Sequence, residues 1–471
     1  MRRAAVDGVR RAAVDGVRRA AVDGVRCAAV DGVSALRVLD AESAAGRSLR
    51  RRIGLRLATV LDAKVERAVR RIVGGIRKGG DAALLAAVRA YDGFAAGGIA
   101  ALRLAPLAAD RGWSEVAPEI RAAVELAIEN VERFHRAQLA AAGEGFVVES
   151  AGVTLAEVAR PLARVGLYVP GGRASYPSTA LMTVVPARVA GVGEIAVATP
   201  ARTYLEQPVL RYTLERLGVE EIWGLGGAHA IAAFAYGTES VRRVDAIAGP
   251  GNAWVTAAKR LVAGAVAIDG LMGPSEVVIV AGDEADAEWV AADLLAQAEH
   301  DPRAAALLVT TSRKLARAVA AAIARQLPAL ATAETALAAL RAYGGALLVA
   351  DVDAAIALAD EIAPEHLQLV GTGIEARAAS FRNAGAVFVG ARTPEVFGDY
   401  VAGPSHVLPT CGTARFASGL SVENFRRRTH RLEVHGAATA DRCAAASVEL
   451  ARAEGLPGHA AAAARRKRGA R

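Results

Sequence analysis

Between Arg164 and Val389 short apolar runs alternate with glycine turns and helical stretches, and this alternation limits the possible fold more than any other feature. Val165–Val169 leads into Pro170-Gly171-Gly172, and Glu194–Ala198 is a second run. Glu221–Leu225 opens onto Gly226-Gly227 and a helical stretch to Tyr236, while Val244–Ala248 leads into Gly249-Pro250-Gly251-Asn252 and a helix to Val262. Strands that alternate with helices form parallel sheets covered by those helices. A second series follows: Val277–Ala281, Ala305–Val309, Ala346–Ala350, Leu367–Val370 and Ala386–Val389. Helices near Ala285–His300, Lys314–Gln326 and Asp353–Ile362 separate those runs. Two α/β sheets side by side are the economical expectation.

The flanks read differently. From Ala35 to Gln138 the spacing of apolar residues is helical, in Ala63–Lys78 and Val116–Ala140 above all, and Asp81 is placed to cap a helix running toward Tyr91. After Gly403 the chain looks irregular until a helical region around Ala444–Glu454. Residues 2–33 are four octets, RRAAVDGV three times and then RCAAVDGV. One glycine per octet works against a continuous helix, and the period matches no common repeat architecture. The segment reads as an expanded repeat outside the fold.

The net charge of +8 suggests a nucleic-acid partner until it is located. Seven Arg against four Asp in the octets, and Arg465, Arg466, Lys467, Arg468 and Arg471 at the other end, hold all of the excess. A basic footprint on a domain face is absent, so no nucleic acid is expected. No apolar run approaches the ~18–20 residues that span a bilayer. Cys27, Cys411 and Cys443 are odd in number and far apart, which excludes a disulfide framework. A cytoplasmic protein without a membrane is the expectation.

Ligand chemistry is densest at Gln297-Ala298-Glu299-His300. Residues three apart share a helical face, so Gln297 and His300 can reach one point while Glu299 is aimed elsewhere. A tetrahedral metal site needs two more ligands, with Asp399, His406 and His459 as candidates; a satisfied surface pair is the competing reading. Pro364-Glu365-His366 sets a carboxylate beside an imidazole just before a strand, which suits two linked proton transfers. An exposed Glu beside a half-buried His is the plainer alternative. The glycine turns could cradle a dinucleotide, but the strict G-x-G-x-x-G pattern breaks at His229. Cys411 has no base beside it and reads as a packing residue.

Seven runs, in order, resemble the L-histidinol dehydrogenase family: Leu167-Tyr-Val-Pro-Gly-Gly, Gly249-Pro-Gly-Asn, Gly273-Pro-Ser-Glu, Ala296-Gln-Ala-Glu-His, Ala363-Pro-Glu-His-Leu, Gly398-Asp-Tyr through His406-Val-Leu-Pro-Thr, and Glu454-Gly-Leu-Pro-Gly-His. The resemblance covers roughly Ala35 to Arg466. It implies an oxidoreductase of histidine biosynthesis that takes L-histidinol through L-histidinaldehyde to L-histidine in two NAD-linked hydride transfers, with one Zn2+ per subunit. The implied zinc ligands are Gln297, His300, Asp399 and His459. The same four, with Ser275, His366, His406 and Glu454, would surround the substrate. His366 would take the alcohol proton and Glu365 would activate the water that hydrates the aldehyde. Tyr168, His229 and Asn252 match NAD-side positions. A dehydrogenase of the same scaffold acting on another amino alcohol is the alternative.

The resemblance also implies an intertwined homodimer with shared active sites. The expected architecture is thus α/β, with two Rossmann-like parallel-sheet domains, a helical N-terminal region and a small C-terminal segment that completes a dimeric site. Its parts are disordered octets at 1–34, a helical region at 35–167 leading into the first sheet, and an NAD-side domain at 168–275. A second domain at 276–420 carries zinc ligands and the Glu–His pair, and a dimer-exchanging segment with the basic tail occupies 421–471. Three positions depart from the family pattern: His229 stands where Gln is usual, Met272 where a small residue is usual, and Trp254 where a smaller aromatic is usual.

Overall fold

The structure, a computed structural model, describes residues 35–106, 113–171 and 176–467; the octets and Gly172 lie outside the described residues. Two six-stranded sheets form the framework. The first has the lateral order Arg103–Leu104, Glu221–Gly224, Glu194–Thr199, Arg164–Tyr168, Ala246–Ala248, Ala267–Ile268. All its pairs are parallel except the edge strand Arg103–Leu104, which runs antiparallel to its neighbour. The second has the order Val38–Asp40, Gly345–Leu348, Ala305–Thr310, Glu276–Ala281, His366–Val370, Ala386–Val389, and is parallel throughout. Its central strands, such as Glu276–Ala281, are buried at every residue, because helices cover both faces.

Each sheet reverses its strand order at its centre. The chain steps outward from Arg164–Tyr168 on one side, then returns to place Ala246–Ala248 on the other. The second sheet does the same around Glu276–Ala281 and His366–Val370. Ligands of open α/β sheets bind outside the carboxyl ends of strands at such a point.

Three features differ from the sequence reading. The N-terminal region is not only helical, since Val38–Asp40 pairs with Gly345–Leu348 and so belongs to the second sheet. Three residues are too short for a periodic signal. Second, the helix Ala63–Ala87 runs through Asp81, with non-helical backbone at Gly80 (φ 50°, ψ −138°). The cap there is not the Asp81 carboxylate. Glu239 Oε2 accepts the Asp81 N–H at 2.7 Å, and Asp81 itself accepts from the Ser240 hydroxyl at 2.6 Å. Third, the chain after Gly403 is not all irregular. Arg426–Val434 pairs antiparallel with Val153–Pro161, which pairs with Gly145–Ser150, forming a three-stranded sheet. The strand Arg-Arg-Arg-Thr-His-Arg-Leu-Glu-Val is exposed beyond its first residue, so no apolar alternation marks it.

The first sheet is pinned at its base by Arg164, which is 8% exposed. Its guanidinium donates to both Glu221 oxygens (2.8 and 2.7 Å) and to Glu194 (2.9 Å), while Trp223 Nε1 donates to Glu221 at 2.8 Å. Burial opposes ionisation of Glu221, but the Arg164 fork and the indole outweigh it and hold the carboxyl below its usual range. A depressed carboxylate stabilises the fold above its unfolded value of about 4.3, and that contribution is lost as pH falls through the folded value. Glu221→Gln is therefore expected to cost about 1.5–3 kcal/mol at pH 7. In urea unfolding at stepped pH, the gap to the parent should close as pH drops below the carboxylate range.

Candidate active site

A cavity of about 320 Å³ lies where the carboxyl ends of the first sheet meet the amino ends of the second. Tyr168, Pro170, Gly171 and Pro250–Ala253 line it from the first sheet, at the reversal point. Ser275, Glu365 and His366 line it from the second sheet, with His300, Asp399 and His406 from the loops and helix ends around them.

The turn after Ala248 explains its glycine. Gly249 has φ +119°, and a Cβ there would lie 2.1 Å from the Tyr168 carbonyl oxygen. Asn252 caps the helix Ala253–Val262, its Oδ1 accepting from Trp254 N–H (3.0 Å) and Val255 N–H (3.3 Å). Of the expected NAD-side residues, Tyr168 and Asn252 line the cavity. The Tyr168 hydroxyl accepts from Gly227 N–H at 2.9 Å, and burial pushes its pKa up to about 12. His229 is not among the lining residues. It is buried, with Nε2 2.9 Å from Asp92 Oδ2, and that same oxygen accepts the Gly226 N–H at 3.0 Å. The imidazole is thus committed to holding the glycine turn from behind.

On the opposite wall, Glu365 and His366 are buried, and both are gripped by Glu276. Glu276 N–H donates to Glu365 Oε2 (2.9 Å) and Glu365 N–H donates to Glu276 Oε1 (3.2 Å). His366 Nδ1 donates to the Glu276 carbonyl at 3.2 Å, which can only accept. In the neutral ring that bond keeps the proton on Nδ1, so Nε2, 3.6 Å from Asp399 Oδ1, is the nitrogen that binds and releases the second proton. Burial raises the Glu365 carboxyl to about 7. Burial works against charge on His366, but the carboxylates of Glu365, Asp399 and Glu395 overcome it and lift the ring to about 9. Burial would raise Asp399 too, yet the His366 ring holds it below the usual range. His406, donating through Nδ1 to the Asp399 carbonyl at 2.9 Å, is lowered by burial.

The helix Ala287–Ala298 ends before His300, so the expected Gln297–His300 face is only partly realised. His300 is exposed to the cavity, with Nδ1 donating to the Ala296 carbonyl at 2.9 Å, which leaves Nε2 as a donor atom for a ligand. Gln297 is buried behind the lining; its amide donates to Glu395 (3.0 and 3.1 Å) and accepts from Glu276 N–H at 3.2 Å. Glu299 is exposed and accepts from the Thr332 hydroxyl at 2.6 Å, away from the site. Glu454 and His459 lie on the exposed C-terminal segment and do not line the cavity. Among the described residues, no group of three His, Cys, Asp or Glu converges to hold a metal within one chain. The cavity-lining His300 and Asp399 offer an imidazole nitrogen and a carboxylate suited to a borderline-soft divalent ion, whereas the Gln297 amide would reach such an ion only by giving up its bonds to Glu276 and Glu395.

The sequence reading missed Arg56, Glu276 and Glu395, all buried around this wall. A charged residue heading the apolar run Glu276–Ala281 was the available signal.

The comparisons agree with one another. The family model described as histidinol dehydrogenase matches residues 56–467. A histidinol dehydrogenase of Moorella thermoacetica is 47% identical over 396 residues, covering 84% of this chain and 92% of the relative. That of Rhizobium meliloti is 46% identical over 398 residues, covering 84% and 90%. The crystal structure of histidinol dehydrogenase from Elizabethkingia anophelis superposes with a TM-score of 0.80 at 30% identity, over 92% of this chain and 98% of that one.

The glycine turn of the cavity depends on a buried cation. Lys259 Nζ donates to the Gly249 carbonyl and to Asp269 Oδ1, both at 2.5 Å, and Asp269 Oδ2 accepts the Gly249 N–H at 2.8 Å. Lys259→Met leaves the Asp269 carboxylate, 1% exposed, without its ion. A loss of about 3–5 kcal/mol in denaturant unfolding is expected, with part of it recovered by adding Asp269→Asn.

Proposed function

The chain belongs to the histidinol dehydrogenase family, an oxidoreductase family of histidine biosynthesis, and from that premise we propose how its site works. The reaction is the NAD-linked, zinc-dependent oxidation of L-histidinol to L-histidine through the aldehyde. The observation that carries this reading is the Glu365–His366 pair: one wall of the cavity holds an imidazole whose Nε2 faces Asp399, and the other is the reversal-point turn of a parallel sheet.

His366 Nε2, in the fraction of protein whose ring is neutral, takes the alcohol proton as hydride leaves the carbinol carbon, and with the ring lifted to about 9 that fraction grows as the pH rises toward that value. Glu365, with a carboxyl raised to about 7, takes a proton from the water that adds to the aldehyde. That transfer leaves the hydrate as a monoanion, which loses a second hydride to become the acid, and the acid releases its proton to solvent as the carboxylate. Tyr168 and Asn252 would hold NAD, which when bound would supply the hydride acceptor for both oxidations. Gln297, His300 and Asp399 would hold zinc together with a fourth ligand, His459 of the partner subunit. When bound there, zinc would supply the positive charge that positions the imidazole and amino group of the substrate, without supplying a hydroxide. Ser275, His406 and Glu454 complete the substrate's surroundings.

A dimer is supported by where the remaining residues are. Glu454 and His459 are exposed and do not line their own chain's cavity. On the three-stranded sheet that leads into that segment, Phe146 (57% exposed), Val148 (47%), Leu155 (42%) and Leu432 (65%) share one side by register, an apolar face suited to a second copy.

With L-histidinol, NAD and zinc supplied, two NADH should appear per histidine; no product, or a ratio of one, would reject the reading. His366→Asn should lower kcat by about 10²–10⁴-fold with zinc still bound. The shared site has its own test. Separately inactive His366→Asn and His459→Asn proteins, allowed to exchange subunits, should regain about a quarter of parental activity, because each mixed dimer holds one intact site. If His459 served its own chain, mixing would restore nothing.

A further inference from the structure

Arg56 and Glu276 form a fully enclosed ion pair that the reaction as described does not use. The Arg56 side chain is 0% exposed and that of Glu276 2%, and their guanidinium and carboxylate are in contact. Arg56 spends its other nitrogens on backbone: Nη1 donates to the carbonyls of Ser275 and Arg303, both at 3.3 Å, and Nε to that of Ile53 at 3.4 Å. Glu276 Oε1 accepts from Glu365 N–H at 3.2 Å and from Cys411 N–H at 2.8 Å. Its own N–H and carbonyl hold the Glu365 carboxylate and the His366 ring. Cys411 has φ +55°, a costly backbone conformation for a side-chain-bearing residue, and the Glu276 carboxylate is what receives its N–H.

We propose that Arg56 and Glu276 are positioning residues for the oxidation: the pair fixes Glu365 and His366 against Ser275 and Arg303, so that base, water-activating carboxylate and substrate wall keep one spacing. An apolar pair of equal volume would fill the same space at less desolvation cost. It could not accept the N–H groups of Glu365 and Cys411 or donate to two carbonyls across the site. The charges are therefore there for geometry at the reacting groups, where a displacement of about 1 Å costs about 10²-fold in rate.

The inference rests on the assignment of Glu365 and His366 above, and the two fail separately. If His366→Asn keeps the parental kcat, that assignment is wrong whatever the pair does. If His366→Asn is inactive, the test is the charge-balanced double variant Arg56→Met, Glu276→Gln, in the full-length zinc-loaded protein. Its kcat should fall about 10- to 100-fold. KM for histidinol and for NAD should stay within about threefold, and zinc per subunit should be unchanged. The solvent deuterium isotope effect on kcat should rise, because proton transfer to a displaced His366 becomes slower. Arg56→Lys keeps the charge but not the fork, so it should recover part of the lost kcat while remaining about threefold or more below the parent. A folded double variant with kcat within about twofold of the parent overturns the proposal, as does a loss that tracks zinc content or KM instead of kcat. If the double variant does not fold, Arg56→Lys decides alone: parental kcat there overturns the proposal, and a fall at constant KM upholds it.

Discussion

A carboxylate without water around it survives only beside a cation, and the site of this protein is built outward from one such pair. Removing two ions from water costs several kcal/mol each even after the surroundings relax. Glu276 and Arg56 offset that through contact with each other and through main-chain hydrogen bonds to Ser275, Arg303, Glu365 and Cys411. Those partners come from segments far apart in the sequence. The first residue of a central strand is thereby tied to the start of its neighbour, to an N-terminal helix and to the loop after Pro409.

Around that anchor the protein assigns its titratable groups by environment. Glu365 is raised by burial, Asp399 is lowered by the imidazole beside it, and His366 is lifted by the acids around it. His406, buried and donating only to a carbonyl, is lowered and kept neutral. Glu395, buried with the amide of Gln297 against it, is raised well above a normal carboxyl. Groups pushed apart in this way can take different parts in one proton-transfer sequence. The glycine turn of the opposite wall offers backbone, a capping Asn and a Tyr hydroxyl instead of titratable side chains, which matches a wall that binds while the other reacts.

The two sheets were legible because their central strands are continuous apolar runs separated by glycine turns, a pattern that burial on both faces imposes. Glu365-His366 was legible because the pair sits at a strand's first residue. The strand Val38–Asp40 was not, because three residues carry no period and it pairs with a strand some 300 positions on. Arg426–Val434 was hidden for the opposite reason: an exposed strand held by backbone pairing needs no apolar side chains, and its arginines resemble a solvated loop. The place of the His229 ring was not legible either, since a neighbour's chemistry does not reveal which side of the turn a ring faces. Only Asp92, distant in sequence, decides that. Of the expected zinc ligands, spacing alone paired Gln297 with His300 at one helix end, because Asp399 lies on a different helix, Glu395–Tyr400.

The use of opposite ends of two similar sheets has a physical cause. Both reverse strand order at their centre, so both create a crevice at the carboxyl ends of the strands. In the first sheet that crevice is the cavity wall. In the second, the corresponding place lies after Ala281 and Val370, and the Glu284 carboxylate occupies it. Glu284 Oε1 accepts the Thr372 N–H at 2.9 Å. A Cβ at Gly282 would lie 2.5 Å from one Glu284 oxygen, and one at Gly371 would lie 2.8 Å from the other. An exposed anion of the chain's own thus lies across this turn, and the two glycines are what admit it. The second sheet lines the cavity from its amino ends instead. Glu276 and His366 begin adjacent strands there, and the Arg56 guanidinium can reach both the main chain and the carboxylate of the strand start.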